Sequence, residues 1–282
     1  MGKDIKIIRL GGVETKIHGN SDDLYFQGLE NNAVGLDFLV GVANGIPADA
    51  VVLDIGANIG LSTILLARRF AQVIAYEPSP VNAGFVRENL ADNGIKNVVV
   101  KAVAISNEAR TLRFHEAQFG AGSHVVSQEH LAADRIPTIN VPALPLDSET
   151  LPRIAFMKID AEGHEPEVLA GARSLLARDL PLIYMEINIW CLCAFAGHSP
   201  GTLVKTLWER FAVRDAGGKP LPDPYVFLHD TITRGGVTDV LLQPKSGVPM
   251  PGLAELTWPA SAQKSVSEHD TAVLAAFLAK PR

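Results

Sequence analysis

One stretch constrains this chain more than any other: Val51-Val52-Leu53-Asp54-Ile55-Gly56-Ala57-Asn58-Ile59-Gly60. An apolar run breaks off at Asp54, a turn with two glycines follows, and an amphipathic stretch runs from Leu61 to Phe70. That order predicts a buried parallel strand, a tight loop and a helix, the opening unit of a doubly wound α/β sheet. Gly56 is free to take backbone angles barred to residues with a Cβ, and Gly60 puts no side chain between helix and ligand. Ligands of open α/β sheets bind above this loop, beyond the carboxyl ends of the strands.

The spacing narrows the ligand. A dinucleotide loop needs G-x-G-x-x-G, whose middle glycine admits a pyrophosphate. Here that position is Asn58, and the glycines are Gly56 and Gly60. The expected ligand therefore carries a nucleoside and no pyrophosphate, which S-adenosylmethionine (SAM) satisfies. Glu77 agrees with this. It lies 21 residues after Gly56, at the end of a second apolar run over 72–76, where Pro78 stops the strand. A carboxylate there accepts both hydroxyls of a cis-diol and reads as a ribose clamp.

The rest of the chain keeps the rhythm. A hairpin is expected over 5–9 and 13–18 and a helix over Asn32 to Gly45, and together residues 1–49 form a cap. After the first unit come a helix over 80–92, a strand over 97–103, a strand over Ile154–Ile159, a helix over 165–177 and a strand over Leu182–Ile187. Strands alternating with helices imply a parallel sheet with right-handed crossovers. Residues 107–150 interrupt the alternation with extended pieces at Thr111–Phe114, Ser123–Val126 and Thr138–Val141, and Pro137, Pro142 and Pro145 exclude a long helix. This is an insertion near the substrate site. A helix over Gly201–Phe211 follows. Tyr225–Leu228 and Val237–Leu242 are the candidate last strands, with an antiparallel pair among them. A loop over 244–266 and a terminal helix over Thr271–Ala279 complete a single 282-residue domain.

Composition excludes several classes. A net charge of −6, with no run of Lys or Arg, argues against a nucleic-acid groove. No 18-residue apolar run offers a membrane span, and the start leads into no signal-peptide core. Two cysteines, Cys191 and Cys193, are too few for a disulfide framework, so a reducing cytoplasm is the expected setting. A homo-oligomer stays open.

Lys158-Ile159-Asp160-Ala161-Glu162-Gly163-His164-Glu165 is the chemical centre. Asp160 falls at a strand tip, where a carboxylate sits near a reacting centre. His164 is suited to be a base at neutral pH, since its unperturbed pKa is about 6.5. Glu165 and Glu167 flank Pro166 and suit the positive end of a helix, whose first turn they would cap, and His164 could alternatively be a helix-start histidine facing solvent. At the next tip, Asp160, Glu186 and Asn188 could assemble an all-oxygen cation site. Such a trio more commonly orders a polar substrate, and no resident metal is expected.

Leu53–Gly60, Tyr76-Glu77-Pro78 and Met157–Glu165, continued by Glu167-Val168-Leu169-Ala170-Gly171-Ala172 and Ile183-Tyr184-Met185-Glu186, resemble the FkbM family of SAM-dependent methyltransferases over roughly residues 50–190. The resemblance implies a class I methyltransferase (Rossmann-like) α/β fold: a seven-stranded, mostly parallel sheet with antiparallel C-terminal strands and helices on both faces. It implies methyl transfer to a hydroxyl of a small-molecule or glycan acceptor. By motif, Asp54, Gly56 and Asn58 would line the methionine part of SAM and Glu77 the ribose, Ala57, Gly60, Pro78 and Asp160 would complete the cofactor site, and Asp160 and Glu162 would lie by the transfer centre. His164 is the first candidate base, Asp160 or Glu162 the second, and His124 an outside one. The strand over 97–103 ends in Lys101-Ala102-Val103-Ala104, without the acid that many class I enzymes use for the adenine amine, so backbone groups are an alternative and that contact stays open. The rival readings are a nucleotide-dependent oxidoreductase, which lacks its middle glycine, and a non-catalytic SAM-binding or scaffold protein on the same fold.

Overall fold

The computed structural model describes residues 2–30, 36, 39, 41, 42, 44–117, 123–127 and 136–257. Three sheets carry the described chain. A hairpin pairs β1 (Lys3–Leu10) with β2 (Val13–Asn20). The central sheet holds β3 (Val51–Ile55), β4 (Gln72–Tyr76), β5 (Val98–Lys101), β10 (Ile154–Ile159), β11 (Leu182–Asn188), β12 (Phe211–Asp215) and β13 (Val237–Pro244). Its order is β12-β13-β11-β10-β3-β4-β5. Only β13 runs against its neighbours. This is the mostly parallel, seven-stranded α/β arrangement expected, with its antiparallel strand near the C-terminus.

Side chains on β3 alternate between the two faces. Leu53 and Ile55 join one apolar cluster with Val168, Leu176 and Leu207, whereas Val52 joins another with Leu66, Phe70 and Phe156. Both faces are therefore buried, which a parallel sheet requires. The covering helices include α2 (Leu61–Arg69) and α3 (Pro80–Asp92) on one side. The other side carries α4 (Glu165–Ala170), α5 (Arg173–Asp179) and α6 (Pro200–Arg210).

Two expectations are corrected. The single helix over 165–177 is broken at Gly171-Ala172, because Asp147 accepts hydrogen bonds from Ser174 N and Leu175 N and so starts a new helix. Tyr225–Leu228 is not a strand. It lies in α7 (Pro224–Thr233), where Asp223 accepts from Tyr225 N and Val226 N and Pro224 takes the first helical position. The last two strands are β12 and β13 instead. A short helix α8 (Leu253–Leu256) also occupies part of the expected loop. The helix expected over Thr271–Ala279 and much of that over Asn32–Gly45 lie outside the described residues.

The hairpin is docked on the body. Arg68 donates to Leu10 O and Thr15 Oγ1. Asn89 of α3 accepts from His18 N and donates to His18 O and Ile59 O. Leu10, Ile17 and Phe26 pack on Ile64 and Val86 beneath these bonds. The stretch after β5 forms a four-stranded sheet from β6 (Ala104–Ile105), β7 (Arg110–His115), β8 (His124–Val125) and β9 (Ile139–Leu144), in the order β6-β9-β7-β8. Among the described residues no helix is long and apolar enough to cross a membrane.

Candidate active site

A cleft opens along the carboxyl ends of the central strands. It is lined by the glycine loop, by Glu77, Pro78 and Ser79, by Lys158, Asp160, Glu162 and His164, and by both flanking pieces. The loop starts with Gly56 at φ 80°, and a Cβ there would lie 1.7 Å from Asp160 O. Only glycine lets the loop and the β10 tip approach so closely. Gly56, Ala57 and Asn58 line the cleft. Gly60 does not. It is the left-handed cap of α2 (φ 95°), and its missing Cβ makes room for Val86 of α3 rather than for a ligand.

Asp54 lies behind the loop, fully buried. It accepts from Ser62 Oγ at 2.8 Å and from Thr63 Oγ1, so it anchors the start of α2. Lys158 is the cation beside it, which sequence reasoning left without a role. Its ammonium donates to Gly56 O at 2.8 Å and pairs with Asp160 at 3.2 Å and Asp54 at 3.7 Å. Burial pulls its pKa down, but the two aspartates outweigh that and hold it protonated above the ordinary lysine range. A lysine inside the apolar run Ile154–Ile159 was the available signal.

Glu77 is 4% exposed. One carboxylate oxygen accepts from Asn58 N at 2.8 Å and the other from Ser79 N at 2.9 Å. Burial pushes its pKa up to about 7 despite those bonds. Each oxygen keeps a lone pair, so a diol across the two has an acceptor for each hydroxyl.

At the other end, Asp160, Glu162 and Glu186 bring carboxylate oxygens within 4.8 Å of one another. Glu162 takes φ 51°, which turns it back into this group. Burial, then the neighbouring acids, raises Glu162 to about 8 and Glu186 to about 9. Three acids so placed could share protons, order a polar group or hold a hard cation. Asn188, the expected third member, touches the cluster as a donor: its Nδ2 lies 3.5 Å from Glu162 Oε2 while its Oδ1 accepts from Cys191 N, and Cys191 Sγ also donates to Glu162.

His164 is 5% exposed, not solvent-facing. Its Nε2 is 3.1 Å from Ser106 Oγ and its Nδ1 is 3.5 Å from Glu167, which also meets His198 at 2.8 Å. Burial lowers its pKa. Glu165 and Glu167 occupy the first turn of α4 as expected, and both are buried. Glu165 accepts from Ala161 N and Gly163 N and fixes the turn that carries Glu162. His124 stacks on Phe195, their ring centres 3.6 Å apart. Asn20, Asp23 and Tyr25 of the cap, and Phe114, Glu116 and Val125 of the inserted sheet, also line the cleft. Sequence reasoning missed them, since no local spacing marks a residue that arrives from a separate sheet.

Residues 54–190 match the family described as the methyltransferase FkbM domain. A hexuronic acid methyltransferase, AglP of Haloferax volcanii, is 31% identical over 162 residues, covering 57% of this chain and 62% of that protein. Methyltransferase sdnD of Sordaria araneosa is 27% identical over 170 residues, covering 48% and 64%. The chain thus spans a little over three fifths of these curated relatives. Among solved structures, a methyltransferase FkbM from Methylobacillus flagellatus is 16% identical with a TM-score of 0.43, covering 71% of this chain and 45% of that one.

Proposed function

We infer that this chain, which belongs to the FkbM methyltransferase family through its residues 54–190, transfers a methyl group from SAM to a hydroxyl of a small polar acceptor. A sugar or a secondary metabolite is the acceptor class, and the name of the hexuronic acid methyltransferase relative supports the sugar side of it. The setting is cytoplasmic. One observation carries the reading: Glu77, held by Asn58 N and Ser79 N, shares a cleft with the Asp160–Glu162 pair at the β10 tip.

These residues fit the cofactor. Glu77 offers paired acceptors for the ribose diol, Gly56 leaves a cradle that a Cβ would fill, and Asp160 lines the β10 end of the cleft, where an acid suits a sulfonium cation. When bound, SAM supplies an electrophilic methyl carbon. The cleft would hold an acceptor hydroxyl at the Asp160–Glu162 end, beside the sulfonium, and such alignment is worth roughly 7–11 kcal/mol. Glu162 takes the acceptor proton. Its pKa of about 8 suits a base near neutral pH, and Glu186 and Asp160 beside it keep the proton in the cluster. His164 has both ring nitrogens turned to Ser106 and Glu167, so it acts by positioning the β10 tip against the inserted sheet. Lys158 fixes the glycine loop and orients Asp160.

The test is calorimetric titration with S-adenosylhomocysteine, beside NAD and beside Glu77→Ala, followed by product formation from labelled SAM. Binding that the variant loses, with NAD silent, is the expected result. Binding without turnover on any hydroxylated acceptor would favour the scaffold reading.

A further inference from the structure

The sheet order dictates where each part of a bound cofactor would lie. Along the strand tips the cleft passes Asp160 on β10, Gly56 after β3, Glu77 after β4, and Val103-Ala104 beyond β5. With the sulfur toward β10 and the ribose on Glu77, the adenine falls over the last position. There the walls are Val103, Phe114 and Val125, which suit the apolar faces of a purine. A purine amine also needs an acceptor, because a buried N–H left unmade is costly. The tip of β5 offers no carboxylate: Lys101-Ala102-Val103-Ala104 has no acid, and the Lys101 ammonium is engaged by Glu149.

Resting on the cofactor reading above, we propose that Glu116, carried just past the end of β7 in the inserted sheet, accepts the exocyclic amine of adenine and sets the base specificity of the cleft. Among the described cleft residues the other carboxylates are accounted for elsewhere. Asp160 and Glu162 stand at the β10 tip, Glu77 at the ribose, and Asp23 caps α1 (Leu24–Gln27) through Tyr25 N. Glu116 is the remaining one, two residues past Phe114 and bonded by Ser79.

Ser79 holds it there. The Ser79 N–H donates to Glu77, its Oγ accepts from Asn82 N at 3.1 Å, and its O–H donates to Glu116 Oε1. One serine therefore ties the ribose carboxylate to the second carboxylate, one step further along the sheet. A carboxylate has about four lone-pair sites, so Ser79 leaves capacity for an amine. The acceptor that many relatives of this fold carry on the strand itself would here come from an inserted strand.

The test compares S-adenosylhomocysteine with S-inosylhomocysteine, which replaces the amine by a carbonyl, in calorimetric titrations of the full chain. The wild type is expected to prefer the adenosyl ligand by about tenfold or more, since a site built around a donor rejects its isostere. Glu116→Ala is expected to shrink that preference below about threefold by weakening adenosyl binding and by relieving the carboxylate–carbonyl conflict with the inosyl ligand. Inosyl binding at least as tight as in the wild type then serves as the control for folding. Glu116→Gln, which keeps an acceptor oxygen, is expected to recover part of the preference. A preference that survives Glu116→Ala overturns this inference while leaving the cofactor reading intact. Failure of the wild type to bind S-adenosylhomocysteine overturns both.

Discussion

Glu77→Gln should make the ligand-free protein progressively more stable relative to wild type as pH rises, while abolishing tight cofactor binding. Burial raises the Glu77 pKa from an ordinary 4.5 to about 7. The folded chain therefore holds a proton that the unfolded chain has released. Wild-type stability falls as pH rises between those two values and levels off above the higher one. Linkage gives a penalty of about 1 kcal/mol or less at pH 5 and about 3 kcal/mol at pH 8, a difference of about 2 kcal/mol. Glutamine has no such titration. It does place an amide nitrogen against Asn58 N or Ser79 N, both of which donate to the present carboxylate. That donor–donor conflict costs about 1–3 kcal/mol, but it is the same at every pH. The absolute difference between the proteins is therefore a contest of similar terms, whereas its slope with pH belongs to Glu77 alone. Urea unfolding of both proteins at pH 5, 6, 7 and 8 reads that slope. A wild-type-to-variant difference constant to within about 0.5 kcal/mol across the series would refute the buried, proton-holding Glu77. In the wild type, affinity for S-adenosylhomocysteine should fall as pH drops below about 7, because a diol binds the ionised carboxylate.

Two further outcomes follow from the geometry. Glu162 must be ionised to act as a base, so kcat should rise with pH through about 8 and then level off. Glu162→Gln should lower kcat roughly a hundredfold to ten-thousandfold with S-adenosylhomocysteine affinity near wild type, while His164→Asn costs less, as a stopped assay across pH would show. Asn89→Ala removes bonds to His18 N, His18 O and Ile59 O, and should cost about 2–3 kcal/mol and speed proteolysis of the β1–β2 hairpin before the central sheet. Unchanged cleavage of the hairpin would show that its apolar contacts, not Asn89, hold it down.

The parts of the molecule that were legible in the sequence are those whose cause is local. The run over 51–60 announces itself because a strand, a positive-φ turn and a helix each need particular residues within a few positions. Glu77 is legible for the same reason: it ends a strand and Pro78 stops it. The failures come from the same locality. Tyr225–Leu228 is apolar enough for a strand, and only the Asp223-Pro224 start signal shows that it is a helix. Gly171 sits inside an acceptable helical pattern, and the break there depends on Asp147, a residue 27 positions before Ser174.

The site itself divides along the same line. Asp160, Glu162 and His164 are adjacent in sequence, yet the structure gives them different surroundings. Glu162 turns toward Glu186 through a left-handed backbone, and His164 turns away toward Ser106. A pattern search scores the three alike, since it reads residue type and spacing. What separates them is which element each side chain meets: Glu162 meets Glu186 on the adjacent strand β11, and His164 meets Ser106 at the end of β6 in the inserted sheet. Glu116 is the extreme case. It belongs to no motif, and only the folding of β7 over the cleft places it beside Ser79, one residue past Pro78. Its chemistry is therefore a property of the inserted sheet rather than of the strand-and-loop framework beneath it. An exchange of the inserted sheet between two chains of this fold should accordingly alter discrimination at the base while leaving the ribose contact to Glu77 in place.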